Sequence, residues 1–202
     1  SELQQNLLFS WVWAVASNEW QDSGVPVSPV SSDQAIALKA YTIIATDGKF
    51  DPAVCEAGSS RQEYRDKFHY KTLHFLLTQA LATLRVSQGQ QCHDVSRVVR
   101  GVWFQARRGD IIRFGQFVLT SLSETSQCSG TDTVFQVKTC HGADIDKLSF
   151  NSGGEEVLIP PFETFEVTNV TWDEKCPRIQ LSSTGTHSNY NCEWLRGDVT
   201  EG

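Results

Sequence analysis

The character of the chain changes at Gly89, and that change limits the fold more than any other feature. Before it, apolar residues recur at helical spacing. Leu3, Leu7, Leu8, Trp11, Val12 and Val15 share one face of an amphipathic helix, and Gly24, Pro26 and Pro29 end it in a loop. Ser60 with Glu63 reads as a capping box opening a helical region in which Tyr64, Phe68, Leu73, Leu77, Leu81 and Leu84 share a face. Between these helices Ile36, Leu38 and Ala40 alternate with period two, which predicts a strand. After Gly89, runs rich in Val, Ile, Phe and Thr follow at residues 95–104, 111–117, 133–140, 157–159, 164–170 and 179–182. Gly, Asp, Ser and Pro clusters separate them, as turns separate strands. Helices first and strands later predict an α+β domain. One domain accommodates all 202 residues, with 1–88 mainly helical and 89–202 a largely antiparallel β core.

Six cysteines, an even number with no C-x-x-C pair, read as disulfides made in an oxidising compartment. Cys92-His93 and Cys140-His141 are poor metal chelators, because adjacent side chains diverge and structural zinc uses wider spacings. No metal is expected. Asn169-Val170-Thr171 is an N-glycosylation sequon and agrees with export. A net charge of −7, with Arg107-Arg108 as the one local basic cluster, argues against a nucleic-acid partner. No apolar run approaches the roughly 18–20 residues of a membrane span. A chain without methionine reads as a mature form that has lost its signal peptide, and residues 197–202 are too polar for a lipid-anchor signal. A secreted, soluble protein is the expectation.

Six stretches follow one another in a telling order. They are Phe68-His69-Tyr70-Lys71-Thr72-Leu73-His74, Val98-Val99-Arg100-Gly101-Val102, and Arg113-Phe114-Gly115-Gln116-Phe117 running into Thr120-Ser121-Leu122. Then come Thr139-Cys140-His141-Gly142-Ala143, Glu155-Glu156-Val157-Leu158-Ile159-Pro160-Pro161-Phe162-Glu163 and Tyr190-Asn191-Cys192. Taken singly, Arg100, Thr120, Ser121 and Glu156 are ordinary strand or strand-end residues. Together the stretches resemble the vertebrate ecto-ADP-ribosyltransferases, the arginine-specific mono-ADP-ribosyltransferases, from about residue 3 to residue 195.

That resemblance implies a split two-sheet β core gripping NAD, a substrate, in a central cleft. Breaking the nicotinamide–ribose bond develops oxocarbenium character on the sugar, which a neighbouring carboxylate stabilises. Glu156 stands where the family has its catalytic glutamate. Arg100, next to Gly101, stands where the family's arginine holds the dinucleotide, a task its fork of donors suits. Phe117, Thr120 and Ser121 complete the implied nucleotide-binding set, Phe117 as a candidate against the nicotinamide and Ser121 as part of the catalytic serine motif. The resemblance also implies a Cys92–Cys140 disulfide.

Two positions depart from the family pattern. Leu119 stands where the motif's first serine supports the glutamate, and leucine donates no hydrogen bond. Gly154 stands two residues before Glu156, where transfer to arginine uses a second glutamate to orient the guanidinium. Glu155 is present, but neighbours on an extended strand point to opposite faces. The family's partner for Cys192 lies near the mature N-terminus and has no counterpart here. Cys55, Cys128, Cys176 and Cys192 therefore pair in one of three ways, of which Cys128–Cys176 with Cys55–Cys192 is one. A bond from Cys192 to a second polypeptide, or to a cleaved N-terminal fragment, is another arrangement.

Two functions follow as expectations. The first is a secreted NAD-consuming enzyme, a mono-ADP-ribosyltransferase or NAD glycohydrolase with arginine transfer impaired, whose partners are NAD and an acceptor protein. The second is a non-catalytic binding, toxin or defence subunit that reuses the fold. His69, His74, His93, His141 and His187 lie in no nucleophile motif and read as structural or surface residues.

Overall fold

The computed structural model describes residues 7–24, 28–46, 71–123, 128–151, 153–172 and 176–186. Among the described residues three helices come first: α1 (Leu7–Asp22), α2 (Ser32–Thr46) and α3 (Lys71–Ser87). Helix α1 forms as its periodicity predicts and stops just before Gly24, whose φ is +72°. Its buried face, however, is Phe9, Val12, Ala16 and Trp20, while Trp11 is 60% exposed. The seam is rotated from the expected one, and Val12 and Ala16 form one buried cluster with Ala40 of α2.

Helix α2 corrects the strand expected at Ile36, Leu38 and Ala40. Ser31 Oγ accepts the Gln34 N–H, and Gln34 Oε1 accepts the Ser31 N–H, so a capping box starts a helix here. Ala35, Ala37, Leu38, Lys39, Ala40 and Thr42 are all buried. A helix enclosed on nearly every side loses its amphipathic period, and the remaining alternation is accidental. In α3 the expected face, Leu73, Leu77, Leu81 and Leu84, is buried together with Ala80. Ser60, Glu63, Tyr64 and Phe68, and the expected extension of α1 to Leu3, lie outside the described residues.

Eight described strands follow: β1 (His93–Val99), β2 (Ile111–Arg113), β3 (Val118–Ser121), β4 (Thr133–Thr139), β5 (Ala143–Asp144), β6 (Glu156–Ile159), β7 (Glu163–Trp172) and β8 (Pro177–Thr186). Their order is β2-β7-β8-β4-β1-β3-β6-β5, and β4–β8 is the one parallel pairing among the described strands. The run expected at 95–104 ends at Val99, in a turn through Gly101 at φ +70°. The run expected at 111–117 is a strand only at 111–113; the chain turns at Gly115, also at φ +70°, and β3 begins just beyond the run at Val118.

A single Cα pair, Ser96 with Ser121, joins β1 to β3. It divides the ladder into a five-stranded and a three-stranded part, the split sheet expected above. One core lies between the parts: Val95, Val99, Phe135, Val137, Phe165, Val167, Ile179 and Leu181 meet Val118, Val157 and Ile159. A second core lies beneath the helices, where α2 and α3 cover Phe117, Ala143, Ile145, Leu148 and Leu158. Strand β6 is therefore buried on both faces, Val157 and Ile159 to one side and Leu158 to the other, and reads as an unbroken apolar run.

Two disulfides are present among the described residues. Cys92–Cys140 ties the entry of β1 to the exit of β4, and Cys128–Cys176 ties the loop before β4 to the start of β8. Cys55 and Cys192 lie outside the described residues. The turn after β4 is organised by Glu163, a fully buried carboxylate. It accepts from the Thr139 hydroxyl, from the Cys140 N–H at 2.7 Å and from the His141 N–H at 3.1 Å. Thr139 Oγ1 in turn accepts the Gly142 N–H at 2.9 Å. A Cβ at Gly142 would lie 2.9 Å from that hydroxyl oxygen and 3.1 Å from Val157 Cγ1, so no larger residue fits without displacement. Glu163→Ala would leave three donors unsatisfied, the Thr139 hydroxyl buried and the Cys140 and His141 N–H groups half-buried. The expected loss is about 3 kcal/mol, read as a melting temperature lower by roughly 10 °C in calorimetry of the oxidised protein.

Candidate active site

Glu156 opens β6, with its Cα opposite Ser121 of β3, and its carbonyl accepts the Ile145 N–H at 2.9 Å. Alternation along β6 sets its side chain on the same face as Leu158, toward the helices. The carboxylate is half-buried, and Oε2 has no hydrogen-bond partner. Burial holds its pKa above the ordinary glutamate value. A hydrogen bond from Ser149 opposes that shift, and the nearby charge of Asp146 adds to it.

Hydroxyl groups crowd the ends of β3 and β6. Ser121 Oγ donates to the Gly154 carbonyl at 3.3 Å and accepts the Ser123 N–H at 3.1 Å. Ser123 Oγ donates to Glu155 Oε2 at 2.9 Å, and Ser96 Oγ donates to the Ser123 carbonyl at 2.8 Å. Thr120 turns the other way: it is buried, and its hydroxyl donates to the Val157 carbonyl at 2.7 Å, joining β3 to β6 from the inter-sheet core. Leu119 lies opposite Leu158 and packs on the helical core, so no hydroxyl occupies that point.

Gly154 is not open space. A Cβ built there would stand 3.3 Å from Glu156 Cγ. The loop leading to Glu156 is pinned instead by Asp146, whose Oδ1 accepts the Gly153 N–H at 3.0 Å and the Glu155 N–H at 3.1 Å. Glu155 itself has φ +52°, in the left-handed region that residues with a Cβ seldom occupy.

Phe117 does not present an open ring. It is 4% exposed, and its edge-on neighbours are Tyr41 at 6.0 Å and His74 at 5.1 Å between ring centroids. Its carbonyl accepts the Tyr41 hydroxyl. The ring expected against the nicotinamide is thus a wall of the helical core, where burial also keeps the His74 pKa low. Arg100 is likewise apart from the Glu156 cluster. It is 69% exposed and ion-paired to Asp132 at 3.2 Å. It lies four residues beyond Ser96, or about 13 Å along the strand. The Gly101 N–H donates to the other oxygen of Asp132 at 2.9 Å. Hydrogen bonds from the Ser129 and Gly101 backbone, then the Arg100 charge, hold the Asp132 carboxyl below the usual range.

Sequence reasoning passed over Arg97. It shares a face of β1 with Val95 and Val99, and its Nη1 donates to the Leu119 carbonyl at 2.7 Å, so the cation reaching the site from β1 is this one. Strict alternation from Val95 and Val99 would have pointed it inward. Asp146 and Ser149 had no such signal, since a 3-10 turn (Asp146–Leu148) brings them to the site. Asn169 of the sequon is exposed on β7, with its Oδ1 taken by the Val170 N–H. Among the described residues no group of three His, Cys, Asp or Glu could hold a metal, and no helix is long and apolar enough to cross a membrane.

Residues 1–189 match the profile of the family described as NAD:arginine ADP-ribosyltransferase. The chain is 46% identical over 199 residues to the erythroblast NAD(P)(+)–arginine ADP-ribosyltransferase of Gallus gallus, covering 95% of this chain and 65% of that protein. It is 41% identical over 215 residues to GPI-linked NAD(P)(+)–arginine ADP-ribosyltransferase 1 of Homo sapiens, covering 97% of this chain and 66% of that one. It therefore spans roughly two thirds of the length of the relatives it matches, and slightly less of the Gallus gallus protein. Among solved structures, a point mutant of the eukaryotic mono-ADP-ribosyltransferase ART2.2 in complex with NAD superposes with a TM-score of 0.74 at 33% identity, covering 95% of this chain and 86% of that one. With profile, sequence and fold in agreement, the chain belongs to the NAD:arginine ADP-ribosyltransferase family.

Proposed function

We propose that this protein binds NAD and breaks its nicotinamide–ribose bond at Glu156, with water as the main acceptor and transfer to arginine impaired. The observation that carries this reading is the half-buried Glu156 carboxylate, one oxygen of which lacks a protein partner while Ser121 stands opposite. An unpartnered oxygen at that depth suits a charge that appears only during reaction. As the bond breaks, its electron pair leaves with neutral nicotinamide and positive charge grows on the ribose. A carboxylate already desolvated stabilises that charge more strongly than one in water. Arg100, mostly exposed, needs only to exchange Asp132 for the pyrophosphate of the dinucleotide. With an enclosed ring, Phe117 supports the floor of the site and leaves nicotinamide stacking to another group.

The choice of acceptor rests on two residues. Leu119 gives Glu156 no hydroxyl, and Gly154 supplies no carboxylate for an incoming guanidinium. Water carries no positive charge for a second carboxylate to neutralise, so hydrolysis gains relative to transfer. The disulfides support action in an oxidising, extracellular setting. Asn169 is exposed and available for glycosylation there.

In a nicotinamide-release assay on the oxidised protein, Glu156→Gln should lower turnover by about a hundredfold or more. Equal release by wild type and variant would abandon the catalytic reading and leave a non-catalytic NAD-fold binding protein. Because the carboxylate acts ionised and its pKa is raised, activity should fall on acidification at a higher pH than an ordinary glutamate would give. The same shift makes a stability prediction. A raised folded pKa means that ionised Glu156 destabilises the fold above that pKa, whereas the protonated form carries no such cost. Glu156→Gln should therefore melt higher than wild type near pH 7, and the difference should close as pH falls to about 4.

A further inference from the structure

Resting on this reading of Glu156, we propose that Glu155 supplies the carboxylate that orients an arginine acceptor, in place of the acidic residue absent at Gly154. In a continuous strand Glu155 and Glu156 would point to opposite faces. The chain avoids this at one residue, Glu155, whose φ of +52° takes it out of the extended conformation. A conformation of this kind persists only where the surroundings hold it, and it concentrates at functional sites.

Here three separate contacts hold it. Asp146 Oδ1 accepts the Glu155 N–H at 3.1 Å, the Glu155 carbonyl accepts the Leu122 N–H at 2.9 Å, and Ser123 Oγ donates to Glu155 Oε2 at 2.9 Å. Ser123 is itself fixed, because its carbonyl accepts from Ser96 Oγ and its N–H donates to Ser121 Oγ. The Glu155 carboxylate is therefore brought to the end of β3, next to Ser121, the residue opposite Glu156. Unlike Glu156, it is exposed, as a group that must meet an acceptor arriving from solvent should be. Its second oxygen takes no hydrogen bond from the described residues, leaving room for the planar fork of a guanidinium.

In the transfer step a guanidino nitrogen bonds to the anomeric carbon as the bond to nicotinamide breaks, its electron pair leaving with nicotinamide. The acceptor nitrogen gives one proton to the Glu155 carboxylate, which passes it to water. Glu156 keeps its charge throughout, so the two carboxylates divide the work between sugar and acceptor. Hydrolysis needs the first alone.

The test measures the partition of NAD between ADP-ribose and ADP-ribosyl-agmatine, agmatine being the arginine analogue. Glu155→Gln is expected to lower the ratio of transfer to hydrolysis at least tenfold and to raise the KM for agmatine. Glu155→Gly keeps the left-handed backbone without strain while removing the carboxylate, and it should lower the ratio to the same extent. Ser123→Ala, which frees the carboxylate from its tether, should raise the KM for agmatine and leave the pH profile of hydrolysis in place. An unchanged ratio in both Glu155 variants would overturn the proposal, as would a wild-type protein that makes ADP-ribose but no agmatine product. No nicotinamide release at all from wild type would overturn the underlying reading of Glu156 along with it, so the two failures are distinguishable.

Discussion

A carboxylate sealed from water must be met by donors on every side, and Glu163 is such a group. Its donors all come from the turn after β4: the Thr139 hydroxyl and the Cys140 and His141 backbone. Closing that turn sends the chain straight into β5, and β5 pairs with β6. The Ile145 N–H then bonds the Glu156 carbonyl, so the depth at which Glu156 sits follows from a carboxylate buried at the start of β7. The Cys92–Cys140 bond and the Arg85–His141 contact at 3.0 Å clamp the same turn from α3 and β1. Burial, then the Arg85 charge, keeps the His141 pKa low, with Glu163 pulling against them.

The site occupies the weakest seam of the sheet. One Cα pair holds the two parts of the ladder together, and Ser121, one half of that pair, faces Glu156 on its other edge. A seam with so few ladder hydrogen bonds leaves backbone groups free for side chains, and Arg97 and Ser96 use them at Leu119 and Ser123. The cost of a divided sheet is met by two apolar cores, one on each face of β6.

Much of this was legible in the residues. The shift from period 3.6 to period 2 at Gly89 announced helices on a β core, and six ordered motifs announced the family. The strand read at Ile36, Leu38 and Ala40 shows where pattern fails: on a helix buried nearly all round, the Ser31–Gln34 cap says more than the apolar spacing. Phe117 and Arg100 were read from motif position, which does not tell whether a ring is enclosed or a cation already paired. Arg97 was within reach of simple alternation, whereas Asp146 and Ser149 act across a 3-10 turn that carries no periodic signal. The left-handed Glu155 was beyond reach, because glutamate is not a residue type from which that conformation is inferred.

Strand order bears on how such a chain reaches its folded state. The last described strand, β8, does not lie at an edge but between β7 and β4, and it runs parallel to β4. The five-stranded part of the sheet therefore cannot assemble in the order of synthesis. Strand β4 has an open flank, and β7 has no neighbour on one side, until residues 177–186 are available to insert. Contacts this distant in sequence slow folding and leave unpaired strand edges exposed meanwhile. For a disulfide-forming chain, this makes the interval between the emergence of β4 and the arrival of β8 the period of greatest exposure to mispairing.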